Sequence, residues 1–389
     1  MAIIQKNTNK IFQLCDKCIN RIENKISEKE IKDKIIRSRP DKCWLCEGIY
    51  NDISKYQNFI EKTIKEYEFD SFLLGTKIDE DILEKEKIFS EYFDIKEMDS
   101  IKYILNHDLG LKLEKKTGIN VNFNDPTIMI ILDTCFDHIS LQIKSLYIYG
   151  RYKKLKRNIP QTRWDCRICR GIGCKKCDYT GKTYQSSIEE IISKIFLKET
   201  KAPDESFHGA GREDIDVLML GNGRPFIIEL KNPKKRKVDL KKIEKNVNER
   251  YSNIIKISNL KYSNKKEVIR IKNSSFRKKY RVKFSCKGPI NIEKLKKVCQ
   301  SLGDTVIKQK TPTRVAHRRA DMIREKHIYS CEIHRLEDTI IILDLETESG
   351  TYIKELISGD DNRTMPNISS LIGAPCQVES LDVLEIKGE

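Results

Sequence analysis

One short glycine-rich stretch contains an arginine and a carboxylate two residues apart, both able to take part in chemistry. From Phe207 to Val217 the chain reads Phe-His-Gly-Ala-Gly-Arg-Glu-Asp-Ile-Asp-Val, just before an apolar segment. Glycine beside alanine lets a backbone approach a ligand closely. Arg212 offers a positive contact for a phosphate or a base, and Asp214 offers a carboxylate that can act as a nucleophile. The same residues would also suit a surface turn in which the arginine and the aspartate pair with each other.

Paired cysteines are the second chemically informative pattern. Eight of the 13 cysteines fall into four Cys-x-x-Cys pairs, a spacing typical of metal ligands. The first two pairs are Cys15 with Cys18 and Cys43 with Cys46. We expect these four thiolates to hold a structural zinc ion that replaces part of a hydrophobic core. A redox pair is the alternative, but the loop-like flanks do not resemble the βαβ unit that such a pair opens.

A second cluster combines cysteines with glycines in a basic stretch. It comprises Cys166, Cys169, Cys174 and Cys177, with only four residues between the inner cysteines. Glycines beside closely spaced thiolates permit the tight amide-to-sulfur turns of metal knuckles. The sequence therefore predicts a second metal site, and a reduced or redox-labile cluster is the competing interpretation.

Net charge points to a polyanionic partner. The 389 residues carry a formal charge of +16 with a pI of about 9.1, which favours nucleic acid before a membrane. Charged residues such as Lys6, Lys10 and Asp16 interrupt any apolar leader near Met1, and no apolar run reaches the ~18 residues of a spanning helix. We expect a soluble cytoplasmic protein with no membrane association.

Charge is distributed unevenly along the chain. Residues 61–100 hold 13 acidic residues against 6 lysines, so we expect this face to avoid RNA. Residues 144–182 hold 12 basic residues against 2 acidic ones. Aromatic residues interleave there, as expected for phosphate contact with base stacking, although a solvated charged linker is the alternative. These aromatic residues are Tyr147, Tyr149, Tyr152 and Trp164.

Apolar periodicity predicts an α+β chain of four parts. They are a zinc-binding segment (1–50), a small α/β domain (51–160), the second cysteine cluster with a basic linker (161–185), and a larger α+β domain (186–389). Predicted helices are Lys55 to Tyr67, Asp79 to Tyr92, Ile101 to His107, Ser187 to Phe196 and Ile292 to Leu302. One predicted strand begins at Ser71. The other predicted strands cover Thr127 to Asp133, Ile139 to Ile143, Ile215 to Leu220, Lys279 to Ser285 and Thr339 to Thr347.

Two features of the larger domain lie close to the Arg-x-Asp stretch. Asn222-Gly223 stands between two apolar runs, which predicts a β-hairpin. Residues 231–250 carry 9 basic residues against 3 acidic ones, as expected of a rim that contacts a nucleic-acid backbone.

Five windows in one order resemble a known family. They are Gly-Arg-Glu-Asp at 211–214, Gly-Asn-Gly-Arg-Pro-Phe at 221–226, Lys-Tyr-Arg-Val at 279–282, the basic string from Gln309 to Asp321, and Gly-Thr-Tyr-Ile-Lys-Glu-Leu-Ile-Ser-Gly-Asp at 350–360. With the paired cysteines at the N-terminus, the chain resembles an archaeal tRNA pseudouridine synthase acting on uridines 54 and 55 of the T-loop. The resemblance spans nearly the whole chain.

The resemblance implies a fold, a substrate and roles for residues. The fold is an N-terminal zinc-bound THUMP-type RNA-binding region (with its α/β domain at 51–160), followed by a pseudouridine synthase domain (186–389) with a mixed, mainly antiparallel sheet. Asp214 becomes the catalytic aspartate and Lys354 its basic partner. Arg212, Tyr280 and Tyr352 become substrate contacts. The partner is tRNA, structural zinc is the metal, and no organic cofactor or protein partner is implied.

Several alternatives stay open at this stage. Asp216 is a rival nucleophile, expected on the same strand face as Asp214. His317 suggests acid–base work, although RNA contact by its basic string is favoured, with Arg314, Arg318 and Arg319 meeting phosphates. A zinc-dependent, non-catalytic RNA-binding protein would keep the basic surface without needing Asp214. Other tRNA-modifying chemistries need a glycine-rich methyltransferase loop or an ATP loop, and neither is found in the sequence.

Overall fold

Apolar residues separate into two hydrophobic cores in the computed structural model, which describes residues 10–388. Each core belongs to one unit of the chain. The N-terminal unit comprises the residues up to Ser145 together with Asn232–Lys237, and the C-terminal unit comprises Leu146–Lys231 and Val238–Glu389. Both cysteine clusters lie within these units, one in each.

The N-terminal unit contains a small sheet packed against helices. Its elements are β1 (Phe12–Leu14), α1 (Asp16–Asn20), α2 (Glu28–Lys34), β2 (Ile35–Arg37), α3 (Ile53–Ile64), β3 (Ser71–Lys77), α4 (Glu80–Tyr92), α5 (Ile101–Thr117), β4 (Asn120–Val121), β5 (Ile128–Asp133) and β6 (His138–Ile143). The larger sheet has the order β4-β3-β5-β6, with only the β5–β6 pair antiparallel. Its strands alternate buried and half-buried residues, as period-two patterning requires.

Local signals account for the bounds of its helices. Asp79 caps α4 and Ser100 caps α5, each accepting a hydrogen bond from a backbone N–H in the first turn. Helix α5 ends at Gly118, which takes a left-handed conformation. The helices and strands expected between residues 53 and 143 are confirmed, although α5 runs ten residues beyond His107.

The C-terminal unit is built on one large sheet. Its elements are β7 (Leu146–Lys154), α6 (Ile188–Thr200), β8 (Asp204–Gly209), β9 (Leu218–Lys231), α7 (Leu240–Arg250), β10 (Ile255–Ser263), α8 (Lys265–Asn273), β11 (Arg277–Cys286), α9 (Ile292–Leu302), β12 (Thr305–Lys310), β13 (Ile323–Glu337), β14 (Ile340–Thr347), α10 (Ile353–Ser358), β15 (Thr364–Met365), α11 (Ile368–Ile372) and β16 (Cys376–Lys387). Short 3-10 turns occupy Lys175–Cys177 and Thr313–Arg318.

In the described part of the chain, the ten strands of this sheet follow the order β10-β7-β9-β16-β11-β14-β13-β12-β15, with β8 also pairing with β9. Among residues 10–388, only the short β16–β9 contact of this sheet is parallel, so the expected mixed, mainly antiparallel sheet is confirmed. That contact joins two antiparallel halves near Leu218 and Met219, where the chain has just left the Arg-x-Asp stretch. A disulfide also joins Cys286 of β11 to Cys376 of β16, a pairing that the sequence pattern did not predict.

The hairpin expected at Asn222-Gly223 is wrong. Strand β9 runs through both residues, and its pairing with β7 shifts register between Tyr152 and Lys154. Gly221 and Gly223 have positive φ values of 53° and 76°. A Cβ at Gly223 would lie 2.7 Å from the carbonyl oxygen of Tyr152, so the glycines allow a bulge inside the strand rather than a reversal.

Strand β7 also changes the expected division of the chain. The sequence placed residues 146–160 in the N-terminal α/β domain and began the catalytic domain at residue 186. In the structure, β7 lies inside the large sheet, hydrogen-bonded to β9 on one side and β10 on the other. The second cysteine cluster belongs to the same unit. A fragment starting at residue 186 would therefore lose an internal strand of its own sheet.

Candidate active site

A buried ion pair fixes the turn that carries Asp214. The turn leaves β8 at Gly209 and enters β9 at Leu218. Arg224 of β9 is 1% exposed, and its Nε donates to Glu213 Oε2 at 2.8 Å while Nη1 donates to the Ala210 carbonyl at 2.8 Å. The Tyr152 hydroxyl donates to the same Glu213 carboxylate at 3.0 Å. Because a buried arginine needs such partners, this pair determines the path of the chain on both sides of Arg212.

Lys154 holds the backbone of Asp214 from inside the protein. Its ammonium group donates to the carbonyl oxygens of Asp214 and Ile215 at 3.1 and 3.0 Å, and to that of Ile159 at 2.8 Å. Lys154 is fully buried, and this burial lowers its pKa. The three carbonyls satisfy the ammonium group, so the main chain of Asp214 is anchored while its side chain stays one-third exposed.

The Asp214 carboxylate faces two cations. Arg314 Nη1 lies 2.9 Å from Asp214 Oδ2, and Lys354 Nζ lies 3.7 Å from the same oxygen. Arg314 is held on its other side by Glu355 of α10, with Nε to Oε1 at 2.6 Å. Arg314 is therefore the nearer cation to Asp214, whereas the sequence interpretation gave it a phosphate and left this position to Lys354.

Lys354 pairs more closely with the second carboxylate. Its ammonium group lies 2.7 Å from Asp216 Oδ2. Burial acts against ionisation of Asp216, but the Lys354 hydrogen bond and the charges of Lys354 and Arg314 outweigh it and hold the pKa of Asp216 below its usual value. Asp214 and Asp216 do not share a strand face as expected, because β9 begins only at Leu218 and both residues lie in the preceding turn.

The two predicted tyrosines reach the same pocket from different elements. Tyr280 lies on β11 and is 8% exposed, and burial raises its pKa to about 12. Tyr352 caps the start of α10, and its hydroxyl accepts a hydrogen bond from Arg319 Nη1 at 2.9 Å. Gln309 bonds both backbone groups of Tyr352, its carboxamide accepting from N–H and donating to C=O at 2.9 Å. Tyr352 is thus held at its backbone and at its hydroxyl, and Tyr280 is held by burial.

Arg212 lies at the exposed edge of this arrangement. Its guanidinium group stands 5.7 Å from the centre of the Trp164 ring, and Trp164 contacts Tyr184 edge to face. His317 is exposed and does not line the pocket. The side chain of Arg318 falls outside the described residues. The basic string is therefore divided, with Arg314 and Arg319 at the pocket and His317 away from it.

These side chains enclose a cavity of about 160 Å³. Drug-sized ligands occupy pockets of roughly 300–1,000 Å³, so this cavity suits a single base better than a large cofactor. All five residues expected at the catalytic and substrate sites line it, together with cationic residues that the sequence had not assigned to a pocket. The lining includes Arg212, Glu213, Asp214, Arg224, Lys278, Tyr280, Arg314, Arg319, Tyr352 and Lys354.

Sequence reasoning missed the residues that hold the site together. Arg224 and Arg314 lie inside the windows that carried the family resemblance, and Lys278 immediately precedes one of them. Their positions were therefore visible, but the direction of each side chain depends on strands far apart in sequence. Lys154 had no distinguishing signal, because it is one of three basic residues of β7, with Arg151 and Lys153.

Each of the two cysteine clusters has the geometry of a metal site. A tetrahedral ion with Zn–S bonds of about 2.3 Å separates its sulfurs by roughly 3.8 Å. Cys15 and Cys46 have sulfurs 3.7 Å apart, and three pairs of sulfurs in the other cluster are 3.7 to 4.0 Å apart. All four sulfurs of each group lie within 4.8 Å of one another. Both clusters can hold a metal ion.

Amide-to-sulfur contacts support the second of these sites. The backbone N–H groups of Gly173 and Cys174 each donate to a sulfur at 3.2 Å, to Cys169 and Cys177 respectively. Gly173 has a φ of 106°, and a Cβ there would lie 2.8 Å from the Tyr179 carbonyl oxygen. The glycine therefore permits the tight turn that the sequence predicted.

Two family models match this chain, one in each unit. A family model described as "Pus10, C-terminal" matches residues 147–387, and one described as "Pus10 THUMP domain, archaeal" matches residues 56–133. The N-terminal unit therefore contains a THUMP domain, and the C-terminal unit carries the catalytic domain of a pseudouridine synthase. The chain belongs to the Pus10 family, which confirms the resemblance inferred from the sequence.

Full-length relatives agree with this membership. The protein named "tRNA pseudouridine synthase Pus10" from Methanocaldococcus jannaschii is 44% identical over 92% of this chain and 78% of its own length. Its namesake from Methanococcus voltae is 39% identical over 99% and 75%. That from Archaeoglobus fulgidus is 38% identical over 89% and 95%. Separately, no helix within residues 10–388 combines the length and the apolar character needed to cross a membrane.

Proposed function

We propose that the protein converts uridine to pseudouridine at positions 54 and 55 in the T-loop of tRNA, with Asp214 as the catalytic carboxylate. The observation that carries this proposal is the Asp214 side chain, held between Arg314 and Lys354 at the mouth of a pocket that contains Tyr280. Family membership supports the reaction class. The choice of T-loop uridines rests on the sequence resemblance.

The reaction follows from what these side chains can do. The Asp214 carboxylate acts as the nucleophile while the bond between uracil N1 and ribose C1′ breaks, its electron pair leaving with the base. The base turns, and its C5 bonds to C1′ as the carboxylate leaves C1′ with its electron pair. The proton that C5 then loses is balanced by the proton that N1 gains. Atoms and oxidation state are unchanged overall, so the isomerisation needs no organic cofactor. Arg314 and Lys354 lie beside the Asp214 carboxylate and hold it in place at the pocket.

Substrate contacts divide between the interior and the mouth of the pocket. A uridine must leave its stack to reach Asp214, which requires a surface that receives the flipped base. Buried Tyr280 packs against that base, and Tyr352 contacts the nucleotide nearer the opening. Exposed Arg212 and Arg319 meet phosphates there, where solvent and strand are accessible.

Zinc is the metal we assign to both cysteine clusters, because four thiolates in a tetrahedron are its preferred structural site. The ion closes each loop and supplies no step of the reaction. In the C-terminal unit, the cluster follows Trp164, whose ring supports Arg212. This arrangement gives the second metal site a role in shaping the rim of the pocket.

We propose that the protein selects tRNA by its three-dimensional shape and not by reading a base sequence. The small pocket accepts one base, and phosphate contacts elsewhere position the RNA. The THUMP-containing N-terminal unit binds a part of the tRNA that is distant from the T-loop. This contact determines that the T-loop is the part that meets the active site. Affinity should fall steeply with salt, as counterion release requires.

The decisive experiment measures pseudouridine in an unmodified tRNA transcript after incubation with the purified protein, by mass analysis and sequencing of the T-loop. Asp214→Asn keeps the size of the side chain and loses its charge, so activity should fall below ~1% of wild type while tRNA binding changes little. Asp216→Asn is the matched control and should be milder. Activity above that level in Asp214→Asn would contradict the catalytic assignment, and product at other positions would contradict the T-loop assignment.

A further inference from the structure

Lys278 is a buried cation of the pocket with no carboxylate of its own. It lies on β11, 8% exposed, and lines the cavity. Within residues 10–388 its ammonium group makes no hydrogen bond or ion pair. A buried ammonium group without such partners is costly, and burial lowers the pKa of Lys278 to about 7. Such a group is expected where a ligand completes its environment.

The charged groups nearest to Lys278 are already paired with other side chains. Arg224 is paired with Glu213 at 2.8 Å, and Lys326 of β13 is paired with Glu348 at 2.7 Å. Arg224 and Lys326 repel the Lys278 charge, and Glu213 attracts it. Tyr280 faces the pocket from the same strand. The remaining charged side chains of the pocket are Arg212, Asp214, Arg314, Arg319 and Lys354.

The position of Lys278 identifies the part of the substrate that it meets. A Cβ placed on Gly211 would lie 3.4 Å from Lys278 Nζ, so the ammonium group sits under the turn that carries Asp214. Lys278 and Tyr280 are two residues apart on β11 and therefore share a face. Both are buried, whereas Arg212 and Arg319 are exposed at the mouth. The phosphates of the substrate therefore stay at the mouth of the pocket, and its base is the part that reaches Lys278.

We propose that the Lys278 ammonium group donates a hydrogen bond to a carbonyl oxygen of the flipped uracil and stabilises the negative charge of the detached base. The proposal rests on the isomerase function above. When the N1–C1′ bond breaks, its electron pair remains on uracil and spreads over N1 and the carbonyl oxygens. Lys278 keeps its proton throughout. The charge is neutralised again when C5 bonds to C1′.

The test compares Lys278→Met with Lys279→Met in the full-length protein. Lys279 is the next residue of β11 and points to the opposite face of the sheet, so it is a matched control. Single-turnover pseudouridine formation should fall about 100-fold in Lys278→Met, as for loss of one buried donor to a developing anion. The Kd for tRNA should stay within about threefold, because phosphate contacts dominate binding. Lys279→Met should resemble wild type.

A pH series separates the charged role from a merely structural one. Wild type should lose its advantage over Lys278→Met as pH rises above about 7, because its ammonium group deprotonates there. Lys278→Gln replaces the methionine variant if the latter fails to fold. A rate within about threefold of wild type, a ratio that is constant or rises with pH, or an equal loss of tRNA affinity would each overturn the proposal. Absence of product in wild type would instead overturn the proposed function.

Discussion

The two cysteine clusters use the same ligands and the same pair spacing in opposite surroundings. In the N-terminal unit, Cys15, Cys18, Cys43 and Cys46 are all at most 2% exposed and belong to the hydrophobic core, beside Phe12 and Leu14. In the C-terminal unit the cluster at residues 166–177 is only partly covered, and Ile172 beside it is 90% exposed. The first cluster is part of a core, and the second is a surface loop.

The difference shows that ligand spacing alone does not determine how much of the fold depends on a metal site. Twenty-four residues separate the first two pairs, so their metal ties distant segments into one core. Four residues separate the second two, so their metal closes only a local turn. Removing the ion should therefore unfold a region in one case and loosen a rim in the other.

Cys18→Ser should have the largest effect on the fold. Structural zinc contributes about 10–16 kcal/mol of binding free energy at neutral pH, comparable with the whole stability of a domain. We expect loss of one of two zinc equivalents and loss of cooperative folding of the N-terminal unit, measured by metal analysis and hydrogen exchange. Cys135→Ser, at an exposed free cysteine of the same unit, should change neither. A Cys18→Ser protein with two zinc equivalents would refute the first site.

Cys174→Ser should have an intermediate effect. It should also remove one zinc equivalent, yet the large sheet should keep its hydrogen-exchange protection because the cluster lies outside it. Pseudouridine formation should fall about 10- to 100-fold, since the loosened loop displaces Trp164 and with it Arg212. Trp164→Ala tests the same link without touching a metal ligand. If both variants kept full activity, the second cluster would have no bearing on the pocket.

The smallest expected effect concerns exposed charge on the second cluster. Replacing Lys175 and Lys176 with glutamine should reduce the slope of log affinity against log salt by roughly 0.7–0.9 for each lost phosphate contact. The paired control replaces Lys87 and Lys96, which are exposed in the acidic segment of the N-terminal unit, with glutamine. This control should leave the slope unchanged. Equal slopes for both double variants would mean that the cluster does not contact RNA.

Local patterns predicted much of this protein, and long-range geometry accounts for what they missed. Cysteine spacing identified both clusters, and apolar periodicity identified helices such as Ile292–Leu302 because both signals are contained in a few residues. The five expected active-site residues do lie in one pocket. The Arg314–Asp214 pair spans 100 residues, so no local pattern could reveal it. The Asn222-Gly223 signal was overridden because β7 pairs with β9 on both sides of the bulge.

The N-terminal unit does not end where the chain first leaves it. Residues 232–237 return to it, and there Lys234 pairs with Glu66 while the backbone N–H groups of Arg236 and Lys237 donate to Glu68. During synthesis on a ribosome, the N-terminal unit therefore cannot complete its fold until strands β7 to β9 and the segment 232–237 have been made. The two units mature in an overlapping order rather than one after the other. No single cut in the gene yields both of them whole.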